Sequence, residues 1–270
     1  MLKHLRNLFS AAPAPAPAAP ARPTTVPAGQ RIYAIGDIHG RLDVFQTIIA
    51  SIDADDAARE PADTTVILLG DLIDRGPDSA GVIEAARTWA ERRTVRCLAG
   101  NHEEMFLASM TNENTLRHFL RYGGRETLLS YPITPEEYAP ATISEVQDLI
   151  RARVPRADID FLLGMEDLIR IGDYVFVHAG IRADAALEKQ VTSDLRWIRG
   201  EFFDDPTPRD FAVVHGHTIT EEPELSAHRI GIDTGAFATG CLTAIGLQGT
   251  ERWLIVAQGD SDDRHEIEFN

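Results

Sequence analysis

The chain is poor in cysteine: only Cys97 and Cys241 occur in 270 residues, far apart and outside any Cys-x-x-Cys pair. A disulfide framework is thereby excluded, and a reducing, cytoplasmic setting is the expectation. Long apolar runs are also missing. Nothing approaches the roughly 18 residues that a membrane-spanning helix needs, and the N-terminal apolar stretch is too short and interrupted for a secretory signal. Basic residues are scarce, with 26 Lys and Arg against 42 Asp and Glu, for a formal charge of -16. Nucleic acid is therefore excluded as a partner, because phosphate backbones are bound by Lys/Arg surfaces. A small phosphorylated group is not excluded, since a local metal cluster outweighs a distant acidic surface.

Acidic residues are absent before Asp37, and residues 11–29 read AAPAPAPAAPARPTTVPAG. Such a Pro/Ala tract builds no core and acts as a semi-rigid linker. Residues 1–28 are expected to form a disordered tail, and residues 29–270 one domain.

From Gln30 onward, short Val- and Ile-rich runs recur: 31–35, 65–69, 94–99, 174–177, 211–214, 228–232, 242–246 and 252–257. Runs of this length and composition read as buried strands. Helix-like segments separate the first three, which favours parallel pairing. The later runs follow one another across short turns, which favours antiparallel pairing. An α/β protein is expected, with two mixed sheets face to face and helices outside. Residues 103–172 read as a helical insert over one end of the sheets.

Five of the runs end in a similar way: Gly36-Asp37-Ile38-His39-Gly40, Gly70-Asp71-Leu72-Ile73-Asp74-Arg75-Gly76, Gly100-Asn101-His102-Glu103, His178-Ala179-Gly180 and His215-Gly216-His217-Thr218. Parallel neighbours place their carboxyl ends on one edge, where α/β proteins bind ligands. Glycine lets the backbone turn and approach closely there. Carboxylates, an Asn carbonyl and imidazoles gathered at one point repel and desolvate one another without a cation. A nitrogen/oxygen set without thiolate suits Mn, Fe or Zn.

GDIHG, GDLIDRG, GNHE, HAG and GHT, in that order, resemble the metallophosphoesterase superfamily. More narrowly they resemble its serine/threonine-type phosphoprotein phosphatases, in their bacterial and phage branch. IDTG (232–235) and LTAI (242–245) share that likeness, which spans roughly Arg31 to Ala257. The resemblance implies a calcineurin-like four-layer αββα sandwich with two divalent metal ions, Mn2+ foremost. It implies that Asp37 and His39 hold the first metal, that Asp71 bridges, and that Asn101, His178 and His217 serve the second. The competing His215 is expected in a supporting or core position.

The same likeness implies direct attack on phosphorus by a metal-bridging hydroxide, without a protein nucleophile. Neither cysteine is followed by Arg six residues on, as a cysteine phosphatase loop needs. His102 would protonate the leaving oxygen, oriented by Asp74. Arg75, Asn101 and Arg199 of Trp197-Ile198-Arg199 would bind phosphate oxygens.

The expected substrate is phosphoserine or phosphothreonine, with phosphotyrosine beside them, in a phosphoprotein, or else a small phosphorylated molecule. The alternative is a dinucleoside polyphosphate (diadenosine tetraphosphate) hydrolase of the same superfamily. That branch tends to carry Ala at position 74 and Asp-Leu after Asn-His, so Asp74 and Glu103-Glu104 favour the phosphatase. Asp53-Ala54-Asp55, a superficial D-x-D, reads as a solvated helix end.

Overall fold

The computed structural model describes residues 23–205 and 209–261. The first sheet contains β1 (Gln30–Ile35), β2 (Asp63–Leu68), β3 (Thr94–Cys97), β9 (Cys241–Gln248) and β10 (Glu251–Gln258), in the order β10-β9-β1-β2-β3. β1, β2 and β3 are parallel, while β9 and β10 run antiparallel. The second contains β4 (Leu168–Ile171), β5 (Tyr174–Val177), β6 (Ala212–His215), β7 (Glu224–Leu225) and β8 (Arg229–Gly231), in the order β4-β5-β6-β8-β7. It too is mixed: β5, β6 and β8 are parallel, β4 and β7 antiparallel.

Side-chain alternation explains the layering, because successive strand residues point to opposite faces. Ile32 and Ala34 of β1 pack between the sheets with Phe176, Val214 and Ile245. Tyr33 and Ile35 face outward, onto α1 (Leu42–Ala58) and α2 (Ser79–Ala90), through Phe45, Ile48 and Val82. The outer face of the second sheet, Val175, Val177 and Val213, is covered by α9 (Thr192–Trp197) and α10 (Gly200–Phe203) through Leu195 and Phe202. The result is helix, sheet, sheet, helix, as expected.

The insert is helical from Asn101 to Leu163. It comprises α3 (Asn101–Ser109), α4 (Glu113–Phe119), α5 (Arg125–Ser130), α6 (Pro135–Tyr138), α7 (Ile143–Arg153) and α8 (Arg156–Leu163). α5 and α8 pack beside α2, so the insert widens the outer helical layer of the first sheet rather than capping one end of the sandwich. Its expected limit at 172 is too late, because Leu168–Ile171 is β4, paired with β5. The short α11 (Ala236–Thr239) follows β8.

The tail boundary also moves. Val26 is buried in the core between the sheets, Thr24 is buried, and the Thr25 amide donates to Asp173 Oδ2 at 3.0 Å. Residues 24–28 therefore belong with the domain, since a buried apolar side chain outweighs the linker character of its Pro/Ala neighbours. Residues 1–22 of the expected tail lie outside the described residues.

Cys97 and Cys241 are unpaired, and burial pushes the Cys97 thiol up to about 12. Asp53 and Asp55 sit in a network with Arg93, Trp89, Arg59 and Tyr33, which accounts for the D-x-D. No helix among the described residues is long and apolar enough to cross a membrane.

Candidate metal centre and active site

Among the described residues, five other than glycine have left-handed backbone: His39 (φ 46°), Asp71 (50°), Asp74 (74°), Arg75 (68°) and His217 (64°). All five lie in the strand-end motifs. Such conformations cost about 1–3 kcal/mol each and persist only where the surroundings over-determine them. Glycine makes the approach possible. A Cβ on Gly100 would collide with Asp71 Oδ1, and one on Gly216 with Asp37 Oδ1.

The Asp71 carboxylate is the hub. Its Oδ1 lies 3.5 Å from His178 Nε2, and its Oδ2 lies 3.6 Å from His39 Nε2 and 3.9 Å from His102 Nε2. Two clusters of ligand atoms share it: His39, Asp71 and His102, and Asp71, His178 and His217. Within each, all the ligand atoms lie within 4.8 Å of one another.

The hydrogen bonds fix which ring nitrogen faces inward. His39 Nδ1 donates to Ile73 O and His178 Nδ1 to Leu69 O, each at 2.8 Å. A carbonyl only accepts, so these nitrogens carry the proton and each Nε2 offers a lone pair to the centre. Burial first, and cations nearby, hold His39 well below its ordinary range; burial likewise lowers His178. Both rings are thus held neutral, with a lone pair facing the centre.

This chemistry fits a cation. His178 Nε2 faces Asn101 Oδ1 at 3.0 Å and His217 Nδ1 at 3.1 Å. Lone pair meets lone pair in the first contact, and the Asp71 carboxylate stands beside both. Buried donor-free contacts of this kind are repulsive without positive charge between them. Asp37, Asp71 and Asp233 bring three buried carboxylates together. Burial, then Asp233 and Asp71, drives Asp37 well above the usual carboxylate range. Burial also pushes Asp233 up to about 6. A divalent cation relieves all of these strains at once.

His102 has a different setting. Its Nδ1 lies 2.6 Å from Asp74 Oδ2, and both groups are buried. Thr127 Oγ1 donates to Asp74 Oδ1 at 2.6 Å, and the Asp74 amide donates to Thr127 Oγ1 and Ser79 Oγ. Burial pulls the imidazole down, but the Asp71 and Asp74 charges outweigh it and hold His102 above its ordinary value. Its Nε2 points inward, 3.2 Å from Arg75 NH2, while Arg75 NH1 reaches His39 Nε2 at 2.9 Å.

A cavity of about 330 Å³ opens on the cluster, lined by Asp71, Arg75, Asn101, His102, Arg199, His217 and Ile219. Arg199 NH1 donates to His217 O at 3.3 Å, which ties its guanidinium to this rim. A larger hollow of about 750 Å³, between α1, α2 and the insert, includes none of these residues.

Every residue expected at the site is gathered there, with one difference of arrangement. Both Asp37 oxygens accept the His217 amide, at 3.2 and 3.0 Å, and Asp37 is outside the two ligand clusters. His102 stands beside His39 and Asp71 in its stead. His215 is buried between Phe202 and Phe203, with ring centroids 5.1 and 5.5 Å away, as a core residue.

Two buried acids that the sequence reading quoted within motifs were given no place in the site. Asp233, in the IDTG that follows β8, shares the strand-then-Asp signal of the others. Glu103 accepts from the amides of Asp71 (2.9 Å), Leu72 (2.8 Å) and Gly100 (2.8 Å), so it clamps the hub to the start of α3. Burial, with Asp71 adding, pushes it up to about 7 against these donors. A Glu three residues beyond a helix-starting Gly is its sequence signal.

The chain is 30% identical over 233 residues to the asymmetrical bis(5'-nucleosyl)-tetraphosphatase PrpE of Geobacillus sp. (strain WCH70), covering 79% of this chain and 89% of that one. The PrpE of Bacillus velezensis is 29% identical over 227 residues, covering 77% and 86%. In fold, the chain is similar to a structure assigned provisionally as a diadenosine tetraphosphatase (TM-score 0.60, 17% identity, 88% and 100% covered). It is also similar to the cold-active protein-tyrosine phosphatase of a psychrophilic Shewanella sp. (TM-score 0.53, 16% identity, 85% and 83% covered). The family profile of calcineurin-like phosphoesterases matches residues 30–237. The chain belongs to that family, the calcineurin-like metallophosphoesterases.

Proposed function

We propose that the chain hydrolyses dinucleoside polyphosphates, cutting a bis(5'-nucleosyl) tetraphosphate off-centre into a nucleoside monophosphate and a nucleoside triphosphate. The observation that carries this reading is the likeness to tetraphosphatases of that name, at up to 30% identity and through most of both chains. The sequence argument for a serine/threonine phosphatase rested on Asp74 and Glu103-Glu104. In the fold, Glu103 is occupied by three backbone amides and Asp74 is tied to Thr127. Glu103 thus supports the scaffold whatever the substrate, and Asp74 by itself does not outweigh the relatives.

In this reading His39 and Asp71 would hold one divalent cation, joined by Asp37 once its carboxylate turns from the His217 amide, and Asp71, Asn101, His178 and His217 would hold a second. Mn, Fe and Zn all suit this nitrogen/oxygen set. Bound there, the cations supply Lewis acidity, which acidifies water and neutralises phosphate charge. Arg75 and Arg199 bind phosphate oxygens as planar forks. Asp74 orients His102 and holds a proton at its Nε2 for the leaving oxygen. Water must reach phosphorus opposite that oxygen.

A second reading keeps phosphomonoesters. It is favoured by the buried His102–Asp74 pair, because a serine alkoxide is a far more basic leaving group than a phosphate and gains more from a general acid. Manganese-loaded protein offered diadenosine tetraphosphate, a phosphoserine peptide and a phosphotyrosine peptide decides between them. Adenosine mono- and triphosphate in equal amounts are expected. Turnover of the peptides alone would replace this reading with the second.

A further inference from the structure

Two exposed aromatic side chains, Trp197 and Tyr122, lie on segments that reach the residues lining the phosphate cavity and have no part in the chemistry above. Trp197 ends α9, two residues before Arg199, which lines the cavity. Its Nε1 donates to Glu104 Oε2 at 3.3 Å, and Glu104 follows His102 by two residues on α3. Arg196 donates to the same oxygen at 3.3 Å and to Asp167 Oδ1 at 2.8 Å. The indole is thus pinned by its edge to α3, the helix that carries Asn101 and His102, while remaining 38% exposed. The other two tryptophans are engaged: Trp89 is 1% exposed, and Trp253 is covered by the Arg59 guanidinium at 3.6 Å.

Tyr122 is 45% exposed and precedes Gly123. The Gly123 carbonyl accepts from the Arg75 amide at 3.0 Å, and a Cβ there would meet Arg75 Cγ at 2.6 Å. The Tyr122 ring lies 4.5 Å from that of His118, also exposed. One aromatic side chain is thus two residues from Arg199, which lines the cavity, and the other is next to Gly123, which packs on Arg75.

A phosphate chain held between Arg75 and Arg199 would lead its end groups out past the segments that carry these two arginines. Every nucleobase has a π-face, and an aromatic surface that is anchored but uncovered stacks on it with little preference between bases. We propose that Trp197 and Tyr122 are nucleobase platforms, each stacking on one base of a dinucleoside polyphosphate. This rests on the function proposed above and adds the residues that select a nucleotide over a bare phosphate chain.

Kinetics of the full-length, manganese-loaded protein with diadenosine tetraphosphate and inorganic tripolyphosphate test the proposal. Trp197→Ala is expected to raise the ratio of the two KM values by roughly 5- to 150-fold. Tyr122→Ala should act in the same direction, and Trp197→Phe should restore most of the loss. An unchanged ratio in both alanine variants would overturn the proposal. Tryptophan fluorescence gives a readout independent of turnover. Adenosine monophosphate is expected to quench the wild-type protein but not Trp197→Phe. No quench in the wild type, or the same quench in both, would overturn the Trp197 platform. If quenching is seen but diadenosine tetraphosphate is not cleaved, the platform stands and the tetraphosphatase reading fails.

Discussion

Asp71 reaches both ligand clusters with one carboxylate, and its own backbone is strained at φ 50°. Asp71→Asn preserves shape and removes the charge. Activity is expected to fall by at least the roughly 100-fold that loss of a mere supporting partner costs a metal site. His102→Asn separates the two substrate readings, as measured by kcat on paired substrates. We expect a smaller loss on diadenosine tetraphosphate than the roughly 10²–10⁴-fold expected where an alkoxide must be protonated. Equal losses on tetraphosphate and alkyl phosphate would contradict the acid role. Glu103→Gln places an amide NH2 where an oxygen now accepts, leaving backbone donors unmet. That costs about 1–3 kcal/mol, a fall in Tm of roughly 2–10 °C by calorimetry. Asp37, His39, Asp71, Asn101, His178 and His217 were legible in the sequence because each sits at or near a strand end beside glycine. Asp233 carried the same strand-end signal and was passed over, whereas Thr127 carried none. Thr127 is 53 residues from Asp74, and its role exists only once the insert has packed on α2.

At the scale of elements, the strands were legible where Val and Ile made a run with turn residues behind it. β4 was missed because Arg170 interrupts its short apolar run, so Leu168–Ile171 reads as part of the helical insert. β7 has only two, too few for any periodicity. The left-handed turns after β1, β2 and β6 could not be read, because Asp and His tolerate that conformation without announcing it. α1 has no basic residue in its last turn and ends in Asp53, Asp55 and Asp56, against the helix dipole. Arg31, Arg59 and Arg93 compensate from β1, α1's own end and β3's approach. Burial alone would raise Asp55 and Asp56, but hydrogen bonds from Arg59 and Tyr33, and from Thr64 and Arg31, hold both below the usual value. A depressed folded pKa gives stability that is present above the unfolded value of about 3.9 and lost as pH falls through the folded one. Urea midpoints measured from pH 6 down to pH 3 should therefore fall. The fall should be shallower in Asp56→Asn, and an identical slope would contradict this role.

Across the whole molecule, the candidate ligand residues gather at one edge of the sandwich, where β1, β2, β5 and β6 end. Removing residues 2–22 is expected to leave turnover and Tm unchanged. Removing residues 2–28 also takes out buried Val26 and the Thr25 bond to Asp173, and should destabilise by about 1.5–3 kcal/mol for the valine alone. Equal Tm values for the two truncations would place the domain boundary back at residue 29. The claim on which everything else depends is that one carboxylate joins two cation sites. Elemental analysis of the purified, manganese-reconstituted protein measures it directly. We expect two metal ions per wild-type chain and at most one in Asp71→Asn; a full metal load in that variant, or hydrolysis by protein holding no metal, would contradict it.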